Sequence, residues 1–173
     1  KLVVTADGRT LHATLAEKLL LLILVKLTNL VPEGGIWMNT QRPEWNDANN
    51  ALVGNGLSIV TLAHLRRFLA FIATLPGAER AFDLSAATLA ALQGFRALVR
   101  ATPASAADDL AARRAFVDRA GTLLDAWRAE AYRGAAGRTP ARAPAGLLVG
   151  LARDLLPLVD TTLQRNRRDD GLF

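Results

Sequence analysis

The stretch that decides the fold is Leu19-Leu20-Leu21-Leu22-Ile23-Leu24-Val25, seven consecutive apolar residues bounded by Lys18 and Lys26. A membrane span needs about 20 apolar residues, so this shorter run predicts a buried helix. No small-residue cleavage site follows it, as a signal peptide would require. Apolar residues cover nearly all sides of residues 11–30, which indicates a helix enclosed by other helices and ended by Pro32-Glu33-Gly34-Gly35.

The composition is that of a globular helical protein. Of the 173 residues, 51% are apolar and 21% charged, which is enough to form a core. Alanine and leucine dominate, and both favour helix. The absence of cysteine excludes disulfides and thiolate metal sites. The net charge of +5 comes mainly from arginines interleaved with acidic residues, so we expect no nucleic-acid partner, which would need a one-sided basic face. We also expect no membrane partner, because the longest apolar run is too short to span a bilayer.

Four further helices are predicted, over residues 49–75, 85–101, 105–133 and 146–165, with a break at Gly54-Asn55-Gly56 and a loop over 134–145. Ser85 is an expected N-cap, Trp127 lies on a predicted buried stripe, and Pro157 should kink or divide the last helix. No sustained alternation of apolar and polar residues marks a strand. We therefore predict an all-α chain, one helical segment over residues 1–173, built of antiparallel helical hairpins in two layers.

A polar segment separates the two most apolar helices. It reads Gly34-Gly35-Ile36-Trp37-Met38-Asn39-Thr40-Gln41-Arg42-Pro43-Glu44-Trp45-Asn46-Asp47-Ala48-Asn49-Asn50 and holds two of the three tryptophans, two carboxylates, one arginine and five amides. Sugars match this set, because their C–H faces pack on indole rings and their hydroxyls bond to acids, amides and arginine. Asp47 or Glu44 could protonate a glycosidic oxygen if burial raises its pKa. Arg42 could bind Glu44 or a substrate hydroxyl or phosphate.

The same segment has a structural interpretation that stays open. Asp47 could cap the following helix, and a helix N-terminus favours the charged carboxylate, which opposes a role as general acid. Trp37 and Trp45 could pack in the core. An inverting hydrolase would also need a second carboxylate about 6.5–9.5 Å from the first. The loop candidates for it, which we expect to be solvated instead, are Glu33, Asp169 and Asp170.

Glu44-Trp45-Asn46-Asp47-Ala48-Asn49-Asn50 resembles the Asp-Trp-Asn-Asp-Gly motif of the cellobiose-phosphorylase-like enzymes. These are inverting glycoside phosphorylases and related hydrolases with an (α/α)6-barrel, or six-hairpin, catalytic domain. The resemblance implies that Asp47 is the general acid and that Trp45 contacts the sugar at the cleavage point. Glu44 replaces the first Asp of the motif and Ala48 its Gly, so phosphorolysis and hydrolysis both stay open. The further residues expected at the substrate site are Arg42, Glu44, Asn46 and Trp37.

The resemblance also implies an oligosaccharide substrate, and inorganic phosphate as a co-substrate if the reaction is phosphorolysis. His12 and His64 stand alone in the sequence, and no HExxH pattern or acidic cluster supports a metal site. Both histidines are therefore expected to be structural, and neither a metal nor an organic cofactor is expected. The chain is interpreted as an internal piece of a larger (α/α)6 toroid, and its uncovered apolar faces favour aggregation or a homodimer when it is alone. Without a visible signal peptide, a cytoplasmic location is expected.

Two other functions stay open. A non-catalytic helical scaffold or carbohydrate-binding module would use Trp37 and Trp45 to hold glycans, and it would keep binding them when Asp47 is replaced. A helical-repeat interaction domain would have no small-molecule site and would respond to no sugar.

Overall fold

The computed structural model describes residue 4 and residues 7–10, 12–39, 55–77, 79–102, 109–133 and 139–171. Five helices run through these ranges: α1 (Leu15–Leu27), α2 (Ile59–Thr74), α3 (Ala86–Ala101), α4 (Leu110–Tyr132) and α5 (Leu147–Arg165). Five short strands accompany them: β1 (Leu30–Val31), β2 (Gly35–Asn39), β3 (Asn55–Ser58), β4 (Phe82–Ser85) and β5 (Pro140–Ala143). The described chain is therefore helix-rich but not purely helical.

Within the described ranges the prediction of five helices is confirmed, whereas the prediction of a chain without strands is wrong. The strands form one antiparallel sheet in the order β1-β2-β3 and a second antiparallel sheet of β4 and β5. Strands of two to five residues are too short to show sustained alternation in the sequence. The bounds change accordingly: Leu30 begins β1, the helix expected from residue 49 begins at Ile59 after β3, and the loop expected over 134–145 contains β5.

Hydroxyl side chains cap three of the helices at their first turn. Thr14, Ser58 and Ser85 each accept a hydrogen bond from the backbone N–H three residues later, at the start of α1, α2 and α3. Such a cap stabilises a helix by about 1 kcal/mol because it satisfies an N–H group that has no partner within the helix. The prediction of Ser85 as an N-cap is confirmed.

The hydrophobic core lies where α2 packs on α5 and α3 packs on α4, with one side of α1 against them. Its largest fully buried side chains include Phe95 of α3, Leu62 and Leu69 of α2, and Leu151 and Leu155 of α5. Pro157 lies inside a continuous α5, so it does not divide that helix. Trp127 of α4 is partly buried and packs against the core, which agrees with the predicted stripe.

The expectation that α1 is enclosed on all sides is wrong for the described chain. Leu20, Ile23, Leu24 and Leu27 are buried, but Leu15, Leu19 and Leu22 are 73%, 43% and 66% exposed. These three leucines are spaced four and three residues apart, so they lie on one face of the helix. One side of α1 is therefore apolar and uncovered. None of the helices in the described ranges has the length and apolar character needed to cross a membrane.

Candidate functional site

Trp37 lies on the open face of the three-stranded sheet. Residues along β2 alternate, so Ile36 is buried while Trp37 is 43% exposed. Leu57 of β3 is the register partner of Trp37 and is 39% exposed. Direct cross-strand partners point to the same face, and the two side chains therefore form an exposed apolar surface, which we call the Trp37 platform.

Two glycines allow β3 to come this close. A Cβ atom at Gly34 would lie 2.6 Å from Cδ1 of Leu57, and one at Gly35 would lie 3.1 Å from the carbonyl oxygen of Ser58. Gly35 also has a φ of 121°, which side-chain-bearing residues rarely adopt. The Gly-Gly pair thus places Leu57 beside Trp37. The backbone N–H of Trp37 donates to the carbonyl of Asn29, which ties the platform to the end of α1 (2.8 Å).

The predicted motif lies between two strand ends that are side by side. Asn39 ends β2 and Asn55 begins β3, and these two residues are register partners. Paired residues of antiparallel strands have Cα atoms about 4.5–5.5 Å apart. Both ends of the connecting residues 40–54 are therefore held at the edge of the sheet, two residues from Trp37. The predicted site residues that lie outside the described ranges are Arg42, Glu44, Trp45, Asn46 and Asp47.

Glu33 lies in the turn between β1 and β2, and the expectation that it is solvated is wrong. Its side chain is 12% exposed, and its carboxylate lies 2.5 Å from Nη1 of Arg165 and 3.9 Å from Nη1 of Arg113. Its backbone N–H donates to Oγ1 of Thr162 (3.1 Å), and its carbonyl accepts from Nδ2 of Asn166 (2.7 Å). Its φ of 65° is uncommon for a residue other than glycine and costs about 1–3 kcal/mol. α4 and α5 thus fix the turn from which β2 and Trp37 extend.

The other loop candidates for a second carboxylate are exposed, as expected. Asp169 and Asp170 both lie at the surface, and Asp170 pairs with Arg168 at 2.8 Å. His12 and His64 are also exposed. In the described ranges, no three histidine or acidic side chains come together in an arrangement that could hold a metal ion.

Sequence patterns missed a buried carboxylate, Glu17 of α1, which is 3% exposed. Its Oε1 accepts from the backbone N–H of Ser85 (3.2 Å) and lies 2.5 Å from Oγ of Ser85 and 2.8 Å from Oγ1 of Thr88. Nε1 of Trp127 donates to the same Thr88 hydroxyl (3.1 Å). This polar network joins α1, α3 and α4. Its only local signal was the spacing Thr14 to Glu17, which is typical of a capping box, but the carboxylate bonds to α3 instead.

A second carboxylate, Asp154 of α5, is held between two arginines of α3. Its Oδ2 accepts from Nε of Arg96 (2.5 Å) and Nε of Arg100 (2.8 Å). Burial acts to raise the pKa of Asp154, but the hydrogen bonds and positive charges of the two arginines outweigh it and lower the pKa. A Cβ at Gly150 would overlap the guanidinium of Arg96, so this glycine leaves the space for the pair.

The lowered pKa makes the stability contributed by Asp154 dependent on pH. A carboxyl whose pKa is lower in the folded state stabilises the fold above its unfolded pKa of about 3.9 and loses this effect as pH falls through the folded value. We expect Asp154→Asn to lower the free energy of unfolding at pH 7, and the deficit to shrink below about pH 4. Urea unfolding between pH 7 and pH 3 measures this. Asp118→Asn, at an exposed pair with Arg114, is the control. A deficit that stays constant over this range would contradict the assignment.

No family model matches the chain, and no curated protein matches it at a significant level.

Proposed function

We propose that the chain is part of a carbohydrate-active enzyme of the (α/α)6-barrel type that cleaves glycosidic bonds with inversion. The observation that carries the proposal is the position of the Trp37 platform, two residues from the paired strand ends that hold the segment with Glu44-Trp45-Asn46-Asp47. An exposed indole beside a segment rich in acids and amides matches the needs of sugar binding. Loops on a rigid scaffold are also where binding and catalytic residues concentrate.

The proposed reaction assigns one role to each residue of the segment. Asp47, protonated, gives its proton to the glycosidic oxygen, the bond from that oxygen to the anomeric carbon breaks, and the leaving sugar departs as an alcohol. Water or phosphate attacks the anomeric carbon from the opposite face, which inverts its configuration. Trp45 and Trp37 contact sugar faces, and Glu44 and Asn46 bond to hydroxyls. Arg42 binds a hydroxyl or the attacking phosphate.

The nucleophile distinguishes the two forms of this reaction. A water molecule needs a second carboxylate to remove its proton, whereas a phosphate dianion needs none. Glu33 does not fit that role, because Arg165 pairs with its carboxylate, and Thr162 of α5 and the following Asn166 bond to its backbone. The test is product formation from disaccharides with and without inorganic phosphate, since phosphorolysis yields a sugar phosphate and hydrolysis a free sugar.

The toroid is the part of the proposal that concerns the fold. Two features support it: the consecutive helices α3 and α4 pack against each other as a hairpin, and α1 has an uncovered face of Leu15, Leu19 and Leu22. In a two-layer array of hairpins, further helices of the parent polypeptide would cover these leucines. The oligosaccharide site would then lie at the end of the array where residues 40–54 connect β2 and β3.

Replacing Trp37 tests the sugar contact. We expect Trp37→Ala to weaken oligosaccharide binding by about tenfold, or about 1.4 kcal/mol, because the indole face is lost. Stability should change little, since the side chain is 43% exposed. Calorimetric titration of the intact protein with the oligosaccharide measures the affinity. Tyr132→Ala removes another exposed aromatic residue, at the end of α4, and should leave the affinity unchanged. Equal affinities for the Trp37 variant and the parent would remove the platform from the site.

A second function is supported by the same exposed indole. A carbohydrate-binding module without catalysis needs the Trp37 platform and Trp45 but no acid. In that case binding would be lost in Trp37→Ala and retained in Asp47→Asn, and no product would form from any disaccharide with or without phosphate.

A further inference from the structure

A basic groove lies between α2 and α5, on a part of the surface that the proposed sugar site does not use. Its volume is about 460 Å³, within the range of small-molecule sites. Its polar lining consists of Arg66 and Arg67 from α2 and Asp160, Gln164 and Arg167 from the second half of α5 and the residues after it, with Gly171 at one end. We call it the α2–α5 groove.

Among the residues that the structure describes, two of the three arginines of the groove have no acidic partner. Arg66 is neutralised by Asp160, since its Nε lies 2.5 Å from Oδ1 and its Nη2 3.4 Å from Oδ2. Arg67 is exposed and pairs with no acid within the described ranges. Nε of Arg167 donates to the carbonyl of Gly171 (3.1 Å), which is a neutral acceptor. Three arginines and one aspartate give the groove a net charge of +2.

The turn that ends at Gly171, at one end of the groove, positions the side chain of Arg167. The backbone N–H of Gly171 donates to the carbonyl of Arg168 (2.9 Å), which closes a turn and brings the Gly171 carbonyl to Nε of Arg167. Gly171 has a φ of 82°, and a Cβ there would lie 3.1 Å from Nη2 of Arg167. A guanidinium held in this way loses less side-chain entropy when it binds a ligand than a free one does.

From this arrangement we propose that the α2–α5 groove binds a phosphate group, either inorganic phosphate or the phosphate of a small phosphomonoester. The planar donors of arginine match the oxygens of phosphate and form two parallel hydrogen bonds with them. The C-terminus of α5 carries a partial negative charge of about half an elementary charge, which opposes an anion, but the two arginines without acidic partners outweigh it. The volume exceeds that of phosphate alone and leaves space for an attached sugar or similar group.

The inference is independent of the glycosidic reaction. None of the residues that line the groove belongs to β2, β3 or the segment between them. Loss of turnover in a variant of Asp47 or Trp37 would therefore say nothing about phosphate binding, and loss of phosphate binding in the groove would say nothing about Asp47.

The test is a calorimetric titration of the intact protein with inorganic phosphate, a hexose 6-phosphate and the same hexose without phosphate. We expect the two phosphates to bind, with affinity that falls as salt is raised, and the hexose not to bind in the groove. Equal affinity for both phosphates would show recognition of the phosphate alone, and tighter binding of the ester would show contacts to the sugar as well. Binding of neither phosphate overturns the proposal.

Variants with opposite expected signs separate this site from general surface charge. We expect Arg167→Gln to weaken phosphate binding by about tenfold, which corresponds to the loss of one charge-assisted hydrogen bond. Gly171→Ala should also weaken phosphate binding, because the added methyl group displaces Arg167. Asp160→Asn, which frees Arg66, should strengthen binding several-fold. The matched controls, Arg128→Gln and Asp125→Asn, change the net charge equally at an exposed pair on α4 and should have no effect. Equal effects in the groove and control variants would overturn the proposal.

Discussion

If the proposed reaction is correct, Asp47→Asn lowers turnover by the intact protein by about 10²- to 10⁴-fold on substrates with poor leaving groups, the usual contribution of a positioned general acid. Asparagine keeps the size and hydrogen bonding of the side chain but carries no acidic proton. The departing sugar oxygen would then leave as an alkoxide, which is strongly disfavoured. KM should change much less than kcat, because the amide still bonds to the bound sugar.

The leaving group gives the sharpest measurement. Nitrophenolate leaves from a nitrophenyl glycoside without being protonated. The turnover of nitrophenyl glycosides by Asp47→Asn should therefore be reduced far less than that of disaccharides. Asp118→Asn, at an exposed carboxylate of α4 that pairs with Arg114, is the matched control and should leave both rates unchanged. Turnover of disaccharides by Asp47→Asn at the parent rate would eliminate the assignment. A uniform loss on both substrate types would indicate that Asp47 binds or orients the sugar rather than protonating it.

Local patterns predicted the helices because helix signals lie close together in sequence. Ser85 precedes an apolar period of residues and correctly marked the start of α3, and the run at Leu19 correctly marked the interior of α1. The strands escaped detection for a physical reason. β2 and β3 are stabilised by pairing with each other, although residues 40–54 separate them in the sequence. β4 pairs with β5, and these two strands are separated in the sequence by α3 and α4. Neither pairing produces a recognisable pattern in the sequence of strands that are five or fewer residues long.

In the candidate site, too, features that are contiguous in the sequence were predicted, and features that depend on distant residues were not. The segment around Trp37 was recognised because its aromatic and polar residues are contiguous, and the exposure of Trp37 followed from the short strand that the sequence did not reveal. The surroundings of Glu33 could not be predicted, because its backbone partners Thr162 and Asn166 lie 129 and 133 residues away. An acid in a Pro-Glu-Gly-Gly turn is ordinarily solvated, and the packing of α4 and α5 leaves this side chain only 12% exposed.

Glu17→Ala is expected to lower the free energy of unfolding by about 3–5 kcal/mol, the largest effect on stability that the described contacts predict. Oε1 of Glu17 is surrounded by three donors, the backbone N–H and Oγ of Ser85 and Oγ1 of Thr88. Alanine would leave these groups buried without that acceptor and would leave a cavity between α1 and α3. In a chain of this length, 1 kcal/mol shifts the melting temperature by about 2–4 °C, so we expect a decrease on the order of 10 °C.

Charge and hydrogen bonding at Glu17 can be separated with two further variants. Glu17→Gln retains an accepting oxygen, so it should lose less stability than Glu17→Ala. Glu130→Ala makes the same substitution at an exposed pair with Arg133 and should cost less than about 1 kcal/mol. Thermal and urea unfolding of the three variants measure these differences. If Glu17→Ala were no more destabilising than Glu130→Ala, the hydrogen bonds from Ser85 and Thr88 to Glu17 would not stabilise the packing of α1 against α3. A large loss in both variants of Glu17 would instead show that the negative charge itself, at the N-terminus of α3, stabilises the fold.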